Sequence, residues 1–153
     1  MKRNKLFIGS RASKLALIYA NKVKIEISKH YNKEIIIKGI NTTGDNKIDI
    51  RLSELGGKGL FSKNIENELL NKNIDLAVHA LKDLPSFATE GLVTNCFLKR
   101  NNSNEVMISN SNKKLNDLVP GSIVGTSSFR REFQLKRIRK DLNFKLIRGN
   151  VDN

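Results

Sequence analysis

Residues 5–40 read KLFIGSRASKLALIYANKVKIEISKHYNKEIIIKGI and combine two strand signals with one helix signal. Residues 6–9 predict a short buried strand, and Ser13 is placed to cap a helix. The apolar positions of that helix recur at helical spacing, at Leu17, Ala20, Val23 and Ile27. Residues 34–40 are rich in β-branched side chains and predict a second strand. A strand, a helix and a strand in this order favour an α/β fold with a parallel sheet.

The rest of the chain continues this alternation. Glycine and polar residues predict loops at 41–47 and 56–59, and Pro120-Gly121 predicts a turn. Helices are expected at residues 61–71 and 129–139. Strands are expected at residues 74–81, 92–98, 105–109, 122–125 and 143–147. The predicted fold class is therefore α/β, with mixed, mostly parallel sheets.

A polar link at residues 99–104 is a candidate domain boundary. We therefore predict a first domain at residues 1–99 and a second domain that begins at residue 100. Residues 105–153 supply roughly three strands and one helix, and about fifty residues are marginal for an independent core. The second domain is expected to be incomplete within residues 100–153.

The composition, 39% hydrophobic and 28% charged over 153 residues, is typical of a globular protein. No apolar run approaches the length of a membrane span, and the first residues lack the apolar core of a signal peptide. We therefore expect a cytoplasmic protein with no membrane partner. Cys96 is the single cysteine, so an internal disulfide is excluded, and it has no neighbours suited to zinc. We expect a buried, inert thiol and no metal site.

The net charge of +13 predicts a surface that attracts anions. Part of it follows from a composition rich in Lys, Asn and Ile, so local clusters carry more weight. In residues 126–131, TSSFRR, hydroxyls and two arginines meet at the start of a predicted helix, which suits capture of a carboxylate or phosphate. A plain hydroxyl cap with solvated arginines is the competing interpretation. A second basic segment, residues 148–150, follows a predicted strand and favours a shared anion site.

Lys82 and Asp83 follow a predicted buried strand and precede Pro85, which is where open α/β folds place their sites. An aspartate held among cations can stabilise a cationic intermediate or move a proton. A solvated turn pair is the alternative. His79 lies in the same predicted strand, where a hydrogen-bonded core histidine is a better interpretation than a catalytic base. The glycine loop at 56–59 lacks the spacing of a phosphate loop and suits a mobile lid that carries Lys58.

The helix predicted from residue 129 is basic over residues 130–140, which also raises the possibility of nucleic-acid binding. It has aromatic residues only at Phe129 and Phe133, and no nucleic-acid-binding module surrounds it. A solvated basic face, partly turned toward an anionic small molecule, is the preferred interpretation, and no nucleic-acid partner is predicted.

Several motifs together resemble one family, in order and spacing. They are IGSRAS at 8–13, TTGD at 42–45, LSELGGKGLFSKNIE at 52–66, DLAVHALKDLP at 75–85, GSIVGTSSFRR at 121–131 and IRGNV at 147–151. As an ordered set they resemble hydroxymethylbilane synthase, also called porphobilinogen deaminase, across essentially the whole chain. This family joins four porphobilinogen molecules into hydroxymethylbilane and releases ammonia, in porphyrin and haem biosynthesis.

The resemblance implies three α/β domains, of which the first two are similar to periplasmic solute-binding domains with the active site in the cleft between them. It also implies a monomer and a dipyrromethane cofactor, bound through a thioether to a cysteine of the third domain. We expect that third domain and its cysteine to be absent from this chain. Cys96 is no substitute, since it sits in a predicted strand without the glycine-flanked loop of the family's attachment cysteine.

The resemblance also assigns roles to individual residues. Asp83 matches the catalytic carboxylate that contacts pyrrole nitrogens, and Lys58 matches the lysine of the mobile loop. The positions that match cofactor- and substrate-binding residues are Arg11, Ser13, Lys82, Thr126, Ser127, Ser128, Arg130, Arg131, Arg148, Gly149 and Asn150.

These assignments agree with the chemistry, because each porphobilinogen brings an acetate and a propionate that need basic partners. Without the cofactor cysteine, however, we expect the chain alone to make no hydroxymethylbilane. The alternative function is a non-catalytic module that binds carboxylate anions.

Overall fold

The computed structural model describes residues 4–46, 59–110 and 112–149. The chain forms two compact units. The first extends to Leu98 and also takes in Gly149, and the second spans Lys99–Arg148. Each unit is built on parallel strands.

The first unit begins with strand β1 (Lys5–Arg11), helix α1 (Lys14–Ser28) and strand β2 (Glu34–Ile40). This confirms the predicted strand, helix and strand. β1 and β2 pair in parallel, with Lys5 opposite Glu34 and Arg11 opposite Ile40. A parallel pair needs a crossover of a dozen or so residues, and α1 provides it.

The core of the first unit lies between this sheet and α1. Ile8 and Ala20 are fully buried and Ile35 nearly so. The partly buried side chains packed around them are Leu6, Val23, Ile27, Tyr31, Ile37, Leu76 and Val78. The helical spacing in the sequence therefore identified the face of α1 that packs on the sheet.

Two further helices and one strand complete this unit. Helix α2 (Thr43–Asn46) lies in the segment predicted as a loop, so that prediction is wrong for these residues. Helix α3 (Lys63–Leu70) confirms the predicted amphipathic helix, with a later start and Ile65 as its buried residue. Strand β3 (Leu76–Ala77) pairs in parallel with β1 on the side away from β2, which gives the sheet order β2-β1-β3.

β3 is much shorter than the strand predicted at 74–81. Its pairing with β1 is limited to Ile8 opposite Leu76 and Gly9 opposite Ala77. The chain then leaves the sheet and forms a 3₁₀-helical turn at Leu81–Asp83. The apolar run was correctly located, but its length overstated the strand, because a strand persists only where a partner provides hydrogen bonds.

The second unit contains a 3₁₀-helical turn (Leu115–Asp117), strand β4 (Ile123–Gly125), helix α4 (Phe129–Ile138) and strand β5 (Asn143–Lys145). β4 and β5 pair in parallel, and Val124 lies opposite Phe144. These elements confirm the predicted strand, helix and strand, and the predicted turn is present at Gly121, whose φ is 82°. In its described part, Thr126 and Leu142 are the buried residues.

The strands predicted at 92–98 and 105–109 are wrong, because both segments lack helix and strand. Both have strand composition, and several of their apolar side chains are exposed, including Val93, Phe97, Val106 and Ile108. Neither segment has a sheet partner among the described residues. Among those residues, no helix is both long enough and apolar enough to cross a bilayer.

Candidate active site

The candidate site of the first unit lies where its parallel strands end. Arg11 is the last residue of β1, and Asp83 is the last residue of the 3₁₀-helical turn that follows β3. Arg11 Nη1 lies 3.6 Å from Asp83 Oδ2, and the two side chains are 22% and 18% exposed. A predicted binding arginine and the predicted catalytic carboxylate are therefore brought together.

The Arg11 side chain stacks on the Phe61 ring. The centre of the Arg11 guanidinium lies 4.0 Å from the centroid of the Phe61 ring, within the range of a cation–π contact. Phe61 in turn packs on Gly44, whose backbone N–H donates to the Leu60 carbonyl over 2.9 Å. A Cβ on Gly44 would lie 2.3 Å from Phe61 Cε1. Phe61 was not predicted as a site residue, and its signal in the sequence was an aromatic side chain next to a glycine loop.

His79 lies close to this pair and is half-buried. Its Nε2 is buried and has no hydrogen-bond partner among the described residues, so the expectation of a hydrogen-bonded core histidine is wrong for this atom. Burial lowers the pKa of His79. Glu66 and Asp83 act to raise that pKa and Arg11 acts to lower it, but burial has the largest effect.

Two buried hydroxyls occupy the same part of the unit. Ser10, next to Arg11, and Ser62, next to Phe61, are both 0% exposed. Their Oγ atoms have no hydrogen-bond partner in the part of the chain that the structure describes. Buried polar atoms are normally satisfied, so these two hydroxyls are exceptions in the described part of the first unit.

The other predicted site residues of this unit are placed differently. Ser13 is the N-cap residue of α1, but its side chain makes no capping hydrogen bond, contrary to the predicted cap. Its carbonyl accepts from the Leu17 N–H over 3.0 Å. Lys82 is exposed beside Asp83. Lys58 lies outside the described residues, as does most of its glycine loop.

In the second unit, the three hydroxyl residues Thr126, Ser127 and Ser128 form a turn directly before α4, the hydroxyl turn. Ser128 is the N-cap residue, and its Oγ accepts a hydrogen bond from the Arg131 N–H over 3.4 Å. Thr126 is buried, and its Oγ1 accepts from the Ser128 N–H over 3.2 Å. Ser127 is exposed between them. The predicted capping arrangement is therefore present, with Arg130 and Arg131 in the first turn of the helix.

Glu105 binds both arginines. Its Oε1 lies 2.5 Å from Arg130 Nη2, and its Oε2 lies 2.7 Å from Arg131 Nε. The hydrogen bond from Arg130, followed by the charge of Arg131, lowers the pKa of the Glu105 carboxyl. Glu105 was not predicted as a site residue, and its signal in the sequence was a lone acid in a stretch otherwise rich in Lys, Arg and Asn.

The segment after β5 leaves the same sheet edge as the hydroxyl turn. The Thr126 N–H donates to the Lys145 carbonyl over 3.0 Å, and a Cβ on Gly125 would lie 3.0 Å from Ile147 Cγ2. Arg148, at the end of this segment, is half-buried. Gly149 has a φ of 133°, which favours glycine. Asn150 lies outside the described residues.

A separate cavity of about 530 Å³ lies at the opposite end of β1. Its lining residues are Asn4, Lys5, Phe7, Lys38, Lys72 and Asn73. Two of its lysines are engaged within the unit, because Lys38 donates to the Asn73 carbonyl over 2.9 Å and Lys5 pairs with Glu34 over 2.9 Å. This cavity holds none of the predicted site residues. The described residues contain no group of three His, Cys, Asp or Glu side chains that could hold a metal ion.

Comparison with known proteins places these features in one family. The family model described as porphobilinogen deaminase, dipyromethane cofactor binding domain, matches residues 6–153. The chain belongs to this family. Porphobilinogen deaminase of Chlorobium chlorochromatii is 47% identical over 151 residues, and that of Geobacillus kaustophilus is 47% identical over 150 residues. The protein of that name from Orientia tsutsugamushi is 48% identical over 145 residues.

These matches cover 98%, 96% and 95% of this chain, in the same order. The chain spans about half the length of the curated relatives it matches, between 48% and 49%. The family assignment based on the ordered motifs is thus confirmed, and so is the dipyrromethane cofactor as a family property. The roles of individual residues stay predictions.

Within this porphobilinogen deaminase family chain, Cys96 differs from expectation in one respect. It is an exposed free thiol outside any strand, not a buried one. The prediction of a buried thiol was wrong because Cys96 was assigned to a buried strand at residues 92–98, and that strand is absent.

Proposed function

We propose that this chain supplies the catalytic carboxylate and the carboxylate-binding residues of a hydroxymethylbilane synthase. The reaction joins four porphobilinogen molecules stepwise and releases ammonia at each addition. The observation that carries the proposal is the pairing of Arg11 with Asp83 at the carboxyl edge of the first sheet, in a chain of this family.

Asp83 is suited to the cationic stage of the reaction. As the aminomethyl group leaves as ammonia, positive charge develops on the pyrrole of the substrate. A preorganised carboxylate stabilises that charge where it forms, and it can accept a hydrogen bond from the pyrrole N–H. Arg11, stacked on Phe61, keeps the carboxylate in place.

The basic residues have the complementary task. Each porphobilinogen adds an acetate and a propionate, so the growing chain accumulates negative charge. Guanidinium groups bind carboxylates with paired hydrogen bonds, and the N–H groups at the start of α4 favour anions. We assign this binding role to Arg11, Ser13, Lys58, Lys82, Thr126, Ser127, Ser128, Arg130, Arg131, Arg148, Gly149 and Asn150.

The donor set also fits the dipyrromethane cofactor, whose two pyrroles carry the same acid groups and offer N–H donors. When bound, that group supplies the primer to which substrate pyrroles are added. Asp83 suits the pyrrole N–H groups, and the arginines at the start of α4 suit the acid groups.

The unit architecture supports a finer assignment. We propose that the first unit is the first of three domains of the family, similar to periplasmic solute-binding domains. The second unit is then the first part of the second domain. A monomeric state, a cytoplasmic location and the absence of nucleic-acid or membrane partners remain predictions of the sequence.

The test joins this chain to the second half of the Chlorobium chlorochromatii relative and measures hydroxymethylbilane formation. The joined protein is expected to be active, and Asp83→Asn should reduce its turnover by about a hundredfold or more. Asp117→Asn is the matched control, since Asp117 also ends a 3₁₀-helical turn. Full turnover by the Asp83→Asn protein would contradict the role of Asp83.

Calorimetry with the unjoined chain addresses the alternative of a non-catalytic anion-binding module. Porphobilinogen binding that depends on Arg130 and Arg131, together with an inactive joined protein, would favour that module. Turnover by the joined protein would exclude it.

A further inference from the structure

The carboxylate of Glu105 already occupies the two arginines that are proposed to bind substrate acid groups. One oxygen contacts Arg130 Nη2 over 2.5 Å, and the other contacts Arg131 Nε over 2.7 Å. This spanning contact has the form expected for a carboxylate ligand shared by neighbouring guanidiniums. Glu105 therefore makes the contacts to Arg130 and Arg131 that a carboxylate ligand from solution would make.

We propose that Glu105 is a resident competitor in this anion site, which an incoming carboxylate must displace in order to bind Arg130 and Arg131. The inference rests on the proposed function, because it takes these arginines to be the binding groups. It adds a regulatory property: the affinity of the site for acids is set by an acid of the chain itself.

The supporting elements differ in how firmly they are held. The two arginines lie in the first turn of α4, which is capped by Ser128. Glu105 lies in a segment, residues 99–108, that has neither helix nor strand. A shift of Glu105 therefore breaks no strand or helix, whereas a shift of the arginines disturbs the helix start. The movable partner is the acid.

Displacing Glu105 from the two arginines costs little free energy, because all three side chains are exposed. The side chains of Glu105, Arg130 and Arg131 are 47%, 60% and 45% exposed. Ion pairs at this level of exposure are weak, because solvent screens them and both side chains lose freedom. An external carboxylate can approach without any opening of the core.

Competition also has a chemical basis at neutral pH. The pKa of Glu105 is lowered, chiefly by the hydrogen bond from Arg130, so the side chain stays charged. While it is bound, it neutralises one of two adjacent positive charges. An external acid group then meets a site with less net charge, which weakens its attraction.

Glu105 could instead position the arginines for the ligand. That role predicts the opposite change in ligand affinity when Glu105 is removed. A guanidinium has five N–H donors, and Glu105 uses one nitrogen of each arginine. If Glu105 only orients the pair, its removal loosens the site and weakens binding. If it competes, its removal strengthens binding.

The experiment uses the whole 153-residue chain with succinate as the probe, followed by calorimetry and by the Nε–Hε signal of Arg131 in NMR spectra. Glu105→Gln should raise the affinity for succinate by about three- to tenfold. Glu105→Ala should give the same sign. Adding Arg130→Ala and Arg131→Ala to the Glu105→Gln chain should remove the gain.

Glu90→Gln is the matched control, because it removes the same charge from an exposed glutamate of the first unit. Equal gains in both variants would overturn the proposal in favour of net charge. Unchanged or weaker binding by Glu105→Gln, or no binding by any variant, would also overturn it. The same titrations with porphobilinogen separate the two claims: a gain for succinate without any porphobilinogen binding rejects the proposed function alone.

Discussion

Arg11 and Asp83 form an ion pair of 3.6 Å between Nη1 and Oδ2, with both side chains largely shielded from solvent. The separation exceeds that of a charge-assisted hydrogen bond, which is about 2.7–2.9 Å. This contact therefore attracts the carboxylate without using a short hydrogen bond to hold it. Asp83 therefore keeps accepting capacity for a donor such as the pyrrole N–H of the proposed function, and the Arg11 guanidinium also stacks on Phe61.

We expect Gly44→Ala to disturb this pair through Phe61. The new Cβ would lie 2.3 Å from Phe61 Cε1, so the ring must move away from its position under Arg11. Overpacking of this kind costs about 1–3 kcal/mol. Urea denaturation should show that loss of stability, and calorimetry should show weaker binding of porphobilinogen.

The control for this prediction is the double variant Gly44→Ala/Phe61→Leu. Leucine lacks the ring atoms that meet the new methyl group, so the two changes should be non-additive. The double variant should lose less stability than the sum of the single losses. Strict additivity would show that the Gly44 effect does not pass through Phe61.

The first unit was largely predictable from local sequence. Its strand, helix and strand carry their own signals, namely the β-branched run at 34–40 and the helical spacing from Leu17 to Ile27. Asp83 and Arg11 were predicted as site residues from separate motifs. Parallel pairing brings the ends of β1 and β3 to one edge, which is why these distant motifs meet.

The parts that failed depend on tertiary partners. Residues 92–98 and 105–109 have strand composition, but a strand also needs a neighbour with free backbone groups. Phe61 and Glu105 gain their importance from the arginines they contact. Their local signals, an aromatic residue beside a glycine loop and a lone acid in a basic stretch, do not identify those contacts. Sequence patterns therefore located the three arginines and the aspartate that the structure places in ion pairs, but not the phenylalanine and the glutamate that contact the arginines.

Ile8→Ala should be among the most damaging core changes. Ile8 is fully buried at the centre of the sheet and packs with Ala20 and Ile35. Removing a buried isoleucine side chain to alanine costs about 2–5 kcal/mol. Ile25→Ala is the control, because Ile25 is 61% exposed on α1, and it should change stability by at most about 0.5 kcal/mol. Similar losses in the two variants would contradict the described core.

His79 should make the stability of the chain fall in mild acid. Burial lowers its pKa below the ordinary value of 6.5, so the unfolded chain binds the proton more tightly than the folded chain. The contribution of His79 is complete above pH 6.5 and is lost as the pH falls toward its folded pKa. Thermal unfolding at pH 7.5 and pH 5.5 should show a lower Tm at the lower pH.

The groups that face His79 are Glu66, Asp83 and Arg11. His79→Gln removes the titrating ring and should make the Tm nearly equal at the two pH values. His30→Gln changes an exposed histidine and should keep the dependence of the original chain. If His79→Gln retains the full dependence, another group is responsible.

Arg139 links the 3₁₀-helical turn at Leu115–Asp117 to the end of α4. It donates to the Leu115 and Leu118 carbonyls over 2.7 Å each and to the Asp141 carboxylate over 2.6 Å and 2.8 Å. A lysine cannot reproduce this planar set of donors. Arg139→Lys should therefore speed amide hydrogen exchange of residues 115–118 more than exchange in α1.

Acid should weaken the contact between Arg139 and the Asp141 carboxylate. The hydrogen bond from Arg139 lowers the pKa of Asp141 from 3.8 to about 2. A lowered folded-state pKa stabilises the chain fully above pH 3.8, and this contribution is lost as the pH falls from about 4 to about 2. Far-UV circular dichroism during acid titration should show a loss of α4 in that range.

In Asp141→Asn, α4 should be less stable at neutral pH. Its remaining helical signal should be less sensitive to acid, because the titrating carboxyl is gone. An unchanged acid transition in Asp141→Asn would assign the loss to other carboxyl groups.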